Sequence, residues 1–354
     1  MIDVTKIGNN TPLSFDDGVA LFQEYDVQQV GVWADRQRQH RHGKKAYYIV
    51  NAHINPTNIC QLGCPLCAYA CRVAEERAYV MSVDEVLQHV QSAVDSGVTH
   101  LHLVSAIHPD KPYSWYRDLV ATVHSAFPSL TLRAWTAVEI AHFAKIAEKT
   151  VEAVLREMQE LGVSSMPGGG AEIFEPKIRR MIAPAKISAE EWLDVHRIAH
   201  RIGMNTNATM LFGHLESFED RVRHLLLLRD LQEESLQNGS GRFDSFVPLL
   251  FHPKETALES TLGEKRLSPQ EILKTVAVSR LMLHNFEHIK AYWVTLGESL
   301  AQIALSFGAD DFDGTIFEES IHHEAGSTTP RGLSESRLRQ LILDSHHEPV
   351  RKFG

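Results

Sequence analysis

The sequence has no apolar run near the roughly 18 residues that a membrane-spanning helix needs; its longest aliphatic block in a helical context is Leu225 to Leu228. A helical membrane span is excluded. Basic charge is not in excess either: 35 Lys and Arg stand against 45 Asp and Glu, a net of −10 with histidine neutral. That balance disfavours nucleic acid or an anionic membrane surface as the main partner. The N-terminus shows no basic stretch followed by an apolar one, so no export signal is expected and a cytoplasmic, reducing compartment is. Repeats at solenoid periods and low-complexity tracts are missing as well. What is present, 44% hydrophobic and 23% charged residues, matches a folded globular chain with a sizeable core and excludes the disordered and fibrous classes.

Cysteine is scarce, at four residues in 354, yet all four fall between Cys60 and Cys71. Cys60, Cys64 and Cys67 form CxxxCxxC in NICQLGCPLC, and Cys71 follows four residues later. The backbone between the first three is too short to point their thiols far apart, so they can face one compact inorganic centre. Gly63 and Pro65 suit the sharp turns required. A 4Fe-4S cube held by three cysteines keeps one iron without a protein ligand, and an open position is what a catalytic metal site keeps for its substrate. As a fourth ligand, Cys71 would close the cluster and make an electron carrier; as a bystander it is a free thiol. A structural zinc site fits poorly, because its ligands usually form two separated pairs. Disulfides fit poorly too, for want of an export signal.

Along the chain, apolar residues at helical spacing from Phe15 to Arg41 predict a helical prelude. The β-branched and aromatic stretch Ala46 to Ile54 predicts a strand, and the cysteine loop opens directly after it. Helices are expected at about Val83 to Ser96, Tyr113 to Phe127, Thr150 to Leu161, Ser188 to Arg201, Phe218 to Leu236 and Pro269 to His284. Strands are expected at His100 to Val104, Thr131 to Trp135, Val163 to Ser165, Asn205 to Met210, Ser245 to Leu250, Ala291 to Val294 and Asp310 to Phe312. Repeated strand–helix alternation means an α/β fold with a parallel sheet, and the number of units favours a TIM-like (β/α) barrel over an open sheet. The organisation expected is a helical extension over 1–45, a barrel over 46–315 and a closing segment over 316–354. In such barrels chemistry sits at the C-terminal ends of the strands.

The CxxxCxxC loop after the first barrel strand resembles that of the radical S-adenosylmethionine (SAM) enzymes. HINPTNIC, MPGGGAEIF, NATMLFGH, FVPLLFHP and DFDGT are similar, in order and from about Phe15 to Glu348, to the aminofutalosine synthase family of menaquinone biosynthesis. The resemblance implies that Cys60, Cys64 and Cys67 hold a 4Fe-4S cluster whose open iron chelates SAM. An electron from the cluster would split SAM to methionine and a 5'-deoxyadenosyl radical. That radical would add to 3-[(1-carboxyvinyl)oxy]benzoate and give 6-amino-6-deoxyfutalosine with loss of bicarbonate. A reduced flavodoxin or ferredoxin would supply the electron. Two positions depart from the family. Leu66 stands where an aromatic residue usually lies near the adenine, with Tyr69 close by, and Ser105-Ala106 replaces a Gly-Gly pair whose backbone receives the methionine ammonium. The rival expectations are another enzyme of the subgroup, such as cyclic dehypoxanthine futalosine synthase, and a non-catalytic iron–sulfur or zinc protein.

Other loops at strand ends have a functional and a plain reading. Gly168-Gly169-Gly170 can let backbone approach a ligand, with Glu172 as partner for ribose hydroxyls or the ammonium; otherwise it is a flexible turn. Lys177, Arg179 and Arg180 can offer charge to a carboxylate or form a solvated helix face. Asn207 is a candidate cofactor contact. His214 and His252 are candidates to orient substrate or move a proton. Glu139 is a similar candidate, or a first-turn carboxylate satisfying helix N–H groups. His322-His323 and His346-His347 read as surface pairs.

Overall fold

A computed structural model of the chain describes residue 7 and residues 11–263 and 267–352. The stretch in which an export signal was sought falls largely on residues 1–6 and 8–10, outside the described residues. The prelude is two helices, α1 (Phe15–Gln23) and α2 (Val27–His42), not one. The break arises because Asp26 caps the second helix, its carboxylate accepting from the Gln29 N–H at 2.7 Å.

The expected strand over Ala46 to Ile54 also divides. Its first half, β1 (Lys45–Ile49), and its second, β2 (Asn51–Ile54), lie in different sheets. Val50 is the switch point, its carbonyl accepting from the N–H groups of Thr99 and His100. After β2 the chain alternates. Helix α3 (Val83–Asp95), β3 (His100–Leu103), α4 (Tyr113–Ala126), β4 (Thr131–Ala134), α5 (Ala137–Ile146), α6 (Val151–Glu160) and β5 (Val163–Met166) come first. Then follow α7 (Pro176–Ile182), α8 (Ala189–Arg201), β6 (Asn205–Phe212), α9 (Phe218–Asn238), β7 (Phe243–Leu250), α10 (Glu259–Leu262), α11 (Pro269–Met282) and β8 (His288–Ile289). The helix starts are written locally: Ser82 with Glu85, Thr136 with Glu139, Ser188 with Glu191 and Ser217 with Asp220 form reciprocal capping boxes.

Strands β2 to β8 form one parallel sheet in sequential order. The expected strand over Ala291 to Val294 is a correction: Trp293–Leu296 is a short helix, α12, and β8 ends at Ile289. Its apolar residues are buried on every side, a pattern that period alone cannot assign to strand or helix. Helix α13 (Glu298–Ala304) and β9 (Asp311–Gly314) follow, then α14 (Ile321–Glu324), α15 (Glu335–Asp344) and β10 (Glu348–Arg351).

The gap between β8 and β2 is filled by residues 310–317. Ala291 N–H donates to Asp311 O at 2.7 Å on one side; on the other, Phe317 N–H donates to Asn51 O of β2 and Phe317 O accepts from His53 N–H. β9 also joins β1 and β10 in a second, three-stranded parallel sheet. Gly314 makes this close passage possible: a Cβ there would stand 2.1 Å from Asn51 Oδ1 and 2.8 Å from Ile49 O. Along β3 and β4 the apolar residues Leu101, Leu103, Leu132 and Ala134 are buried, while His100, His102, Thr131 and Arg133 are half-buried. Polar side chains alternating with buried apolar ones, on a sheet already covered by helices, face the barrel interior.

At the N-terminal end of the strands, Asp310 is a buried hub. Its carboxylate pairs with Arg280, accepts from Ile289 N–H at 2.9 Å, and meets His288 and His42. Burial alone would push the Asp310 carboxyl up, but Arg280 and His288 outweigh it and hold it well below the ordinary value. A depressed folded pKa contributes stability that is complete above the unfolded value near 4 and lost as pH falls below it. Asp310→Asn, which strands the Arg280 guanidinium, should lower stability by about 3–5 kcal/mol at pH 7 and flatten the acid limb. Urea midpoints at pH 7 and pH 3.5 check this; equal acid sensitivity in both proteins would refute it.

Candidate active site

Three cysteines, the glycine run and most of the polar loops meet at one cavity of about 350 Å³ at the C-terminal mouth of the strands. Cys60, Cys64 and Cys67 line it and none is in a disulfide. Their loop is tied down. Gln61 N–H donates to Ile107 O, Leu66 N–H to Ile182 O and Cys67 N–H to Cys64 O, while Arg77 holds the carbonyls of Ala68 and Ala70. Cys71 does not line the cavity. It is buried, its sulfur accepts from Asn58 Nδ2 at 3.2 Å, and its backbone bonds Cys60 and Asn58. Cys71 therefore fastens the loop that presents the other three.

The donor set fits a cubane better than a single ion. Burial raises the thiol pKa of Cys67, and that of Cys64 to about 11, with Lys186 opposing in each case; a metal centre supplies the positive charge that thiolates need there. A tetrahedral zinc with Zn–S near 2.3 Å would gather its sulfurs to about 3.8 Å of one another. Among the described residues, only His42, His288 and Asp310 place three such ligand atoms within 4.8 Å of one another, so the cysteine sulfurs are more widely spread. The His42 group already neutralises Arg280.

Each carbonyl of the glycine run is held by a side chain. Gly168 O accepts from Thr209 Oγ1 at 2.7 Å, Gly169 O from Trp192 Nε1 at 3.2 Å and Gly170 O from Arg179 at 2.9 Å. Arg179 also holds Ala171 O and Ile187 O. It is buried and spent on backbone, so neither the substrate nor the solvated-face reading holds for it, whereas Lys177 and Arg180 are exposed. A Cβ on Gly168 would stand 2.3 Å from Asn207 O, so β6 and the loop approach as only glycine allows. Glu172 is buried at φ +49°, pairs with Lys186 and lines the cavity. Burial pushes its carboxyl up, but Lys186 more than reverses this and the pKa is lowered.

Leu66, Tyr69, Ser105, Ala106, Gly169, Gly170, Asn207, His252 and Glu139 all line the cavity. Tyr69 places its hydroxyl against that of Tyr79 at 2.5 Å, leaving its ring as the surface on offer. The Ser105 N–H is taken by Glu139 Oε1 at 2.7 Å; the other carboxylate oxygen accepts from Thr136 N–H and Oγ1, each at 2.7 Å. Glu139 is thus a helix cap that also holds the Ser105 turn. Burial raises its pKa to about 7, although Thr136 and Ser105 oppose that. His252 Nε2 meets Thr295 O at 2.9 Å. Asn207 Oδ1 accepts from Ser245 Oγ at 3.0 Å.

His214 stands apart from these. It lies outside the cavity lining, buried, with Nε2–H donating to Leu211 O and Nδ1 accepting from Leu215 N–H. Its polar atoms are used in turning the chain after β6. His322, read as half of a surface pair, lines the cavity instead, and His347 is buried. Sequence reasoning missed Lys186, Arg133, His53, His102, Lys290 and Tyr292, all in the lining.

A parallel barrel whose strand ends surround three free cysteines defines the class of radical SAM enzymes. The Radical SAM superfamily profile matches residues 54–228, and the CofH/MqnC C-terminal region matches residues 240–352. The solved structure of methylornithine synthase superposes with a TM-score of 0.74 at 18% identity, covering 98% of this chain and 97% of that one; it shares the fold. The aminodeoxyfutalosine synthase of Thermus thermophilus is 44% identical over 98% of this chain and 92% of its own length. The cyclic dehypoxanthine futalosine synthase of Halalkalibacterium halodurans is 32% identical over 97% and 90%. Within the radical SAM class, the chain belongs to the aminodeoxyfutalosine synthase family and acts in the futalosine pathway.

Two outcomes follow from this geometry. Arg179→Met removes the donors of three buried carbonyls and should cost about 2–4 kcal/mol in chemical denaturation, while Arg180→Met should stay within about 0.5 kcal/mol; equal effects would contradict the assignment. After anaerobic reconstitution, Cys64→Ala should lose most of its iron and Cys71→Ala should keep it. Matching iron losses would make Cys71 a ligand.

Proposed function

We propose that this enzyme joins the 5'-deoxyadenosyl part of SAM to 3-[(1-carboxyvinyl)oxy]benzoate, forming 6-amino-6-deoxyfutalosine in menaquinone biosynthesis. The observation that carries the reading is one continuous cavity running from three free cysteines into the barrel interior, in a chain that aligns almost end to end with an aminodeoxyfutalosine synthase. Cys60, Cys64 and Cys67 would hold a 4Fe-4S cluster. When bound, that cluster supplies the electron that cleaves the SAM sulfonium, giving methionine and the carbon radical that adds to the enol ether.

The chain's own residues bind and orient. The Glu172–Lys186 pair lies close enough to Cys64 and Cys67 to perturb them, and offers one charge of each sign to a ligand carrying both an ammonium and a carboxylate. The pinned carbonyls of residues 168–170 keep that wall fixed, so positioning there costs little reorganisation. Leu66, the Tyr69 ring and the Ser105-Ala106 turn supply the walls that receive adenosine, with Tyr69 standing in for the aromatic residue that Leu66 replaces. Asn207 and His252 contribute polar contacts further round the mouth. Glu139 is a positioning residue: it holds Ser105 in place. A reduced flavodoxin- or ferredoxin-type protein of the cytoplasm is the electron donor in this reading.

The test is anaerobic incubation of reconstituted enzyme with SAM, dithionite and the enolpyruvyl benzoate, followed by mass analysis. The expected product retains the adenosyl group. Free 5'-deoxyadenosine without an adduct would shift the assignment to a hydrogen-abstracting relative, and one zinc per chain with no iron would end it.

A further inference from the structure

Three cationic side chains line the cavity: Lys186, Lys290 and Arg133. Lys186 is paired with Glu172, and Lys290 Nζ lies 2.7 Å from Asp313 Oδ1. Arg133 has no such partner. Its Nε donates to Ser165 Oγ at 2.9 Å, and among the described residues it forms no ion pair. Asp244 feels its charge but makes no ion pair with it. The two terminal nitrogens of the guanidinium donate to no protein atom among the described residues. A half-buried guanidinium left uncompensated in a cavity is costly unless an anion completes it.

Register places Arg133 in a row. His53, His102, Arg133 and Ser165 sit opposite one another across β2, β3, β4 and β5. His53 Nε2 meets His102 Nδ1 at 3.2 Å, which leaves His102 Nε2 without a hydrogen-bond partner. This row lies below the strand ends that lead to the cysteine loop, the Ser105 turn and Thr136. Anything gripped here is held by the end remote from the cysteines.

We infer that Arg133, with His102 beside it, is the binding site for an aryl carboxylate: the benzoate group of the substrate, held deep in the barrel so that the enol ether points up to the mouth. The assignment to this substrate rests on the functional reading above. Arg suits the task because its planar fork accepts both oxygens of one carboxylate. Lys290, already neutralised by Asp313, adds little net charge to compete for it.

Three proteins test this: wild type, Arg133→Gln and Arg133→Lys, each reconstituted anaerobically. Equilibrium binding of 3-ethoxybenzoate, an unreactive probe that keeps the ring carboxylate, should weaken on the order of 30-fold in Arg133→Gln, as expected for loss of a charge-assisted pair, and less in Arg133→Lys. Binding of ethoxybenzene should be equally weak in all three, and SAM affinity should not change. In turnover, Arg133→Gln should raise KM for the enolpyruvyl benzoate far more than it lowers kcat. Unchanged 3-ethoxybenzoate binding in Arg133→Gln, or an equal loss for ethoxybenzene, overturns the assignment. Circular dichroism melting of the same proteins separates binding loss from misfolding, with Arg133→Lys as the charge-retaining control. If wild type binds 3-ethoxybenzoate through Arg133 but yields no adenosylated adduct, the carboxylate site stands and the functional reading alone falls.

Discussion

Closure of the strand ring between β8 and β2 is the constraint on which the cavity depends. Seven strands alone would leave a groove open to water along one side. Residues 310–317 close it by bonding to β8 at Ile289, to Ala291 just beyond it, and to β2 at Asn51 and His53, and Gly314 permits a passage that a Cβ would block. The segment is anchored at its start by the buried carboxylate of Asp310 against Arg280. Once closed, the ring turns the inward faces of its strands into a chamber, where charges act through a lower dielectric than at the surface.

The site is then built by spending side chains on backbone. Arg179, Trp192 and Thr209 each hold a carbonyl of the glycine run, Arg77 holds two in the cysteine loop, and Glu139 holds the Ser105 turn. None of these needs to touch a ligand. Their common effect is to fix three loops from different strands in one relative geometry, so that the binding surfaces are set before any ligand arrives. The positive φ of Glu172 fits this picture: a non-glycine residue is kept in an unfavourable backbone region because its side chain is held by Lys186 and its carbonyl by Leu211 N–H.

Much of this was legible in the sequence, and the limits have physical causes. Cysteine spacing picked out the loop that faces the cavity because short covalent distances constrain it whatever the fold, and six of the helices announced themselves through period and caps. Ala291 to Val294 misled because a stretch buried on all sides has no periodicity to separate strand from helix. The place of His214 outside the cavity lining was not legible, because a histidine just past a strand end can as easily bond the turn as face the cavity, and here it bonds the turn. Lys186 was invisible, since it lies between α7 and α8 with no motif around it and becomes a site residue only by folding back onto Cys64 and Glu172.

Arg133 is the instructive case. The stretch TLRA alternates polar and apolar residues, and in an exposed antiparallel sheet the polar face would look outward to solvent. In a barrel sheathed by helices the sense is reversed: Leu132 and Ala134 are buried in packing, and Arg133 looks inward with His102. The same alternation in HLHL places His100 and His102 inside. A charge in the middle of a short strand, once the strand is known to belong to a closed parallel ring, is therefore a pointer to the chamber and to the sign of what it holds. Here that sign is negative, since the cavity's other cations are already matched by Glu172 and Asp313.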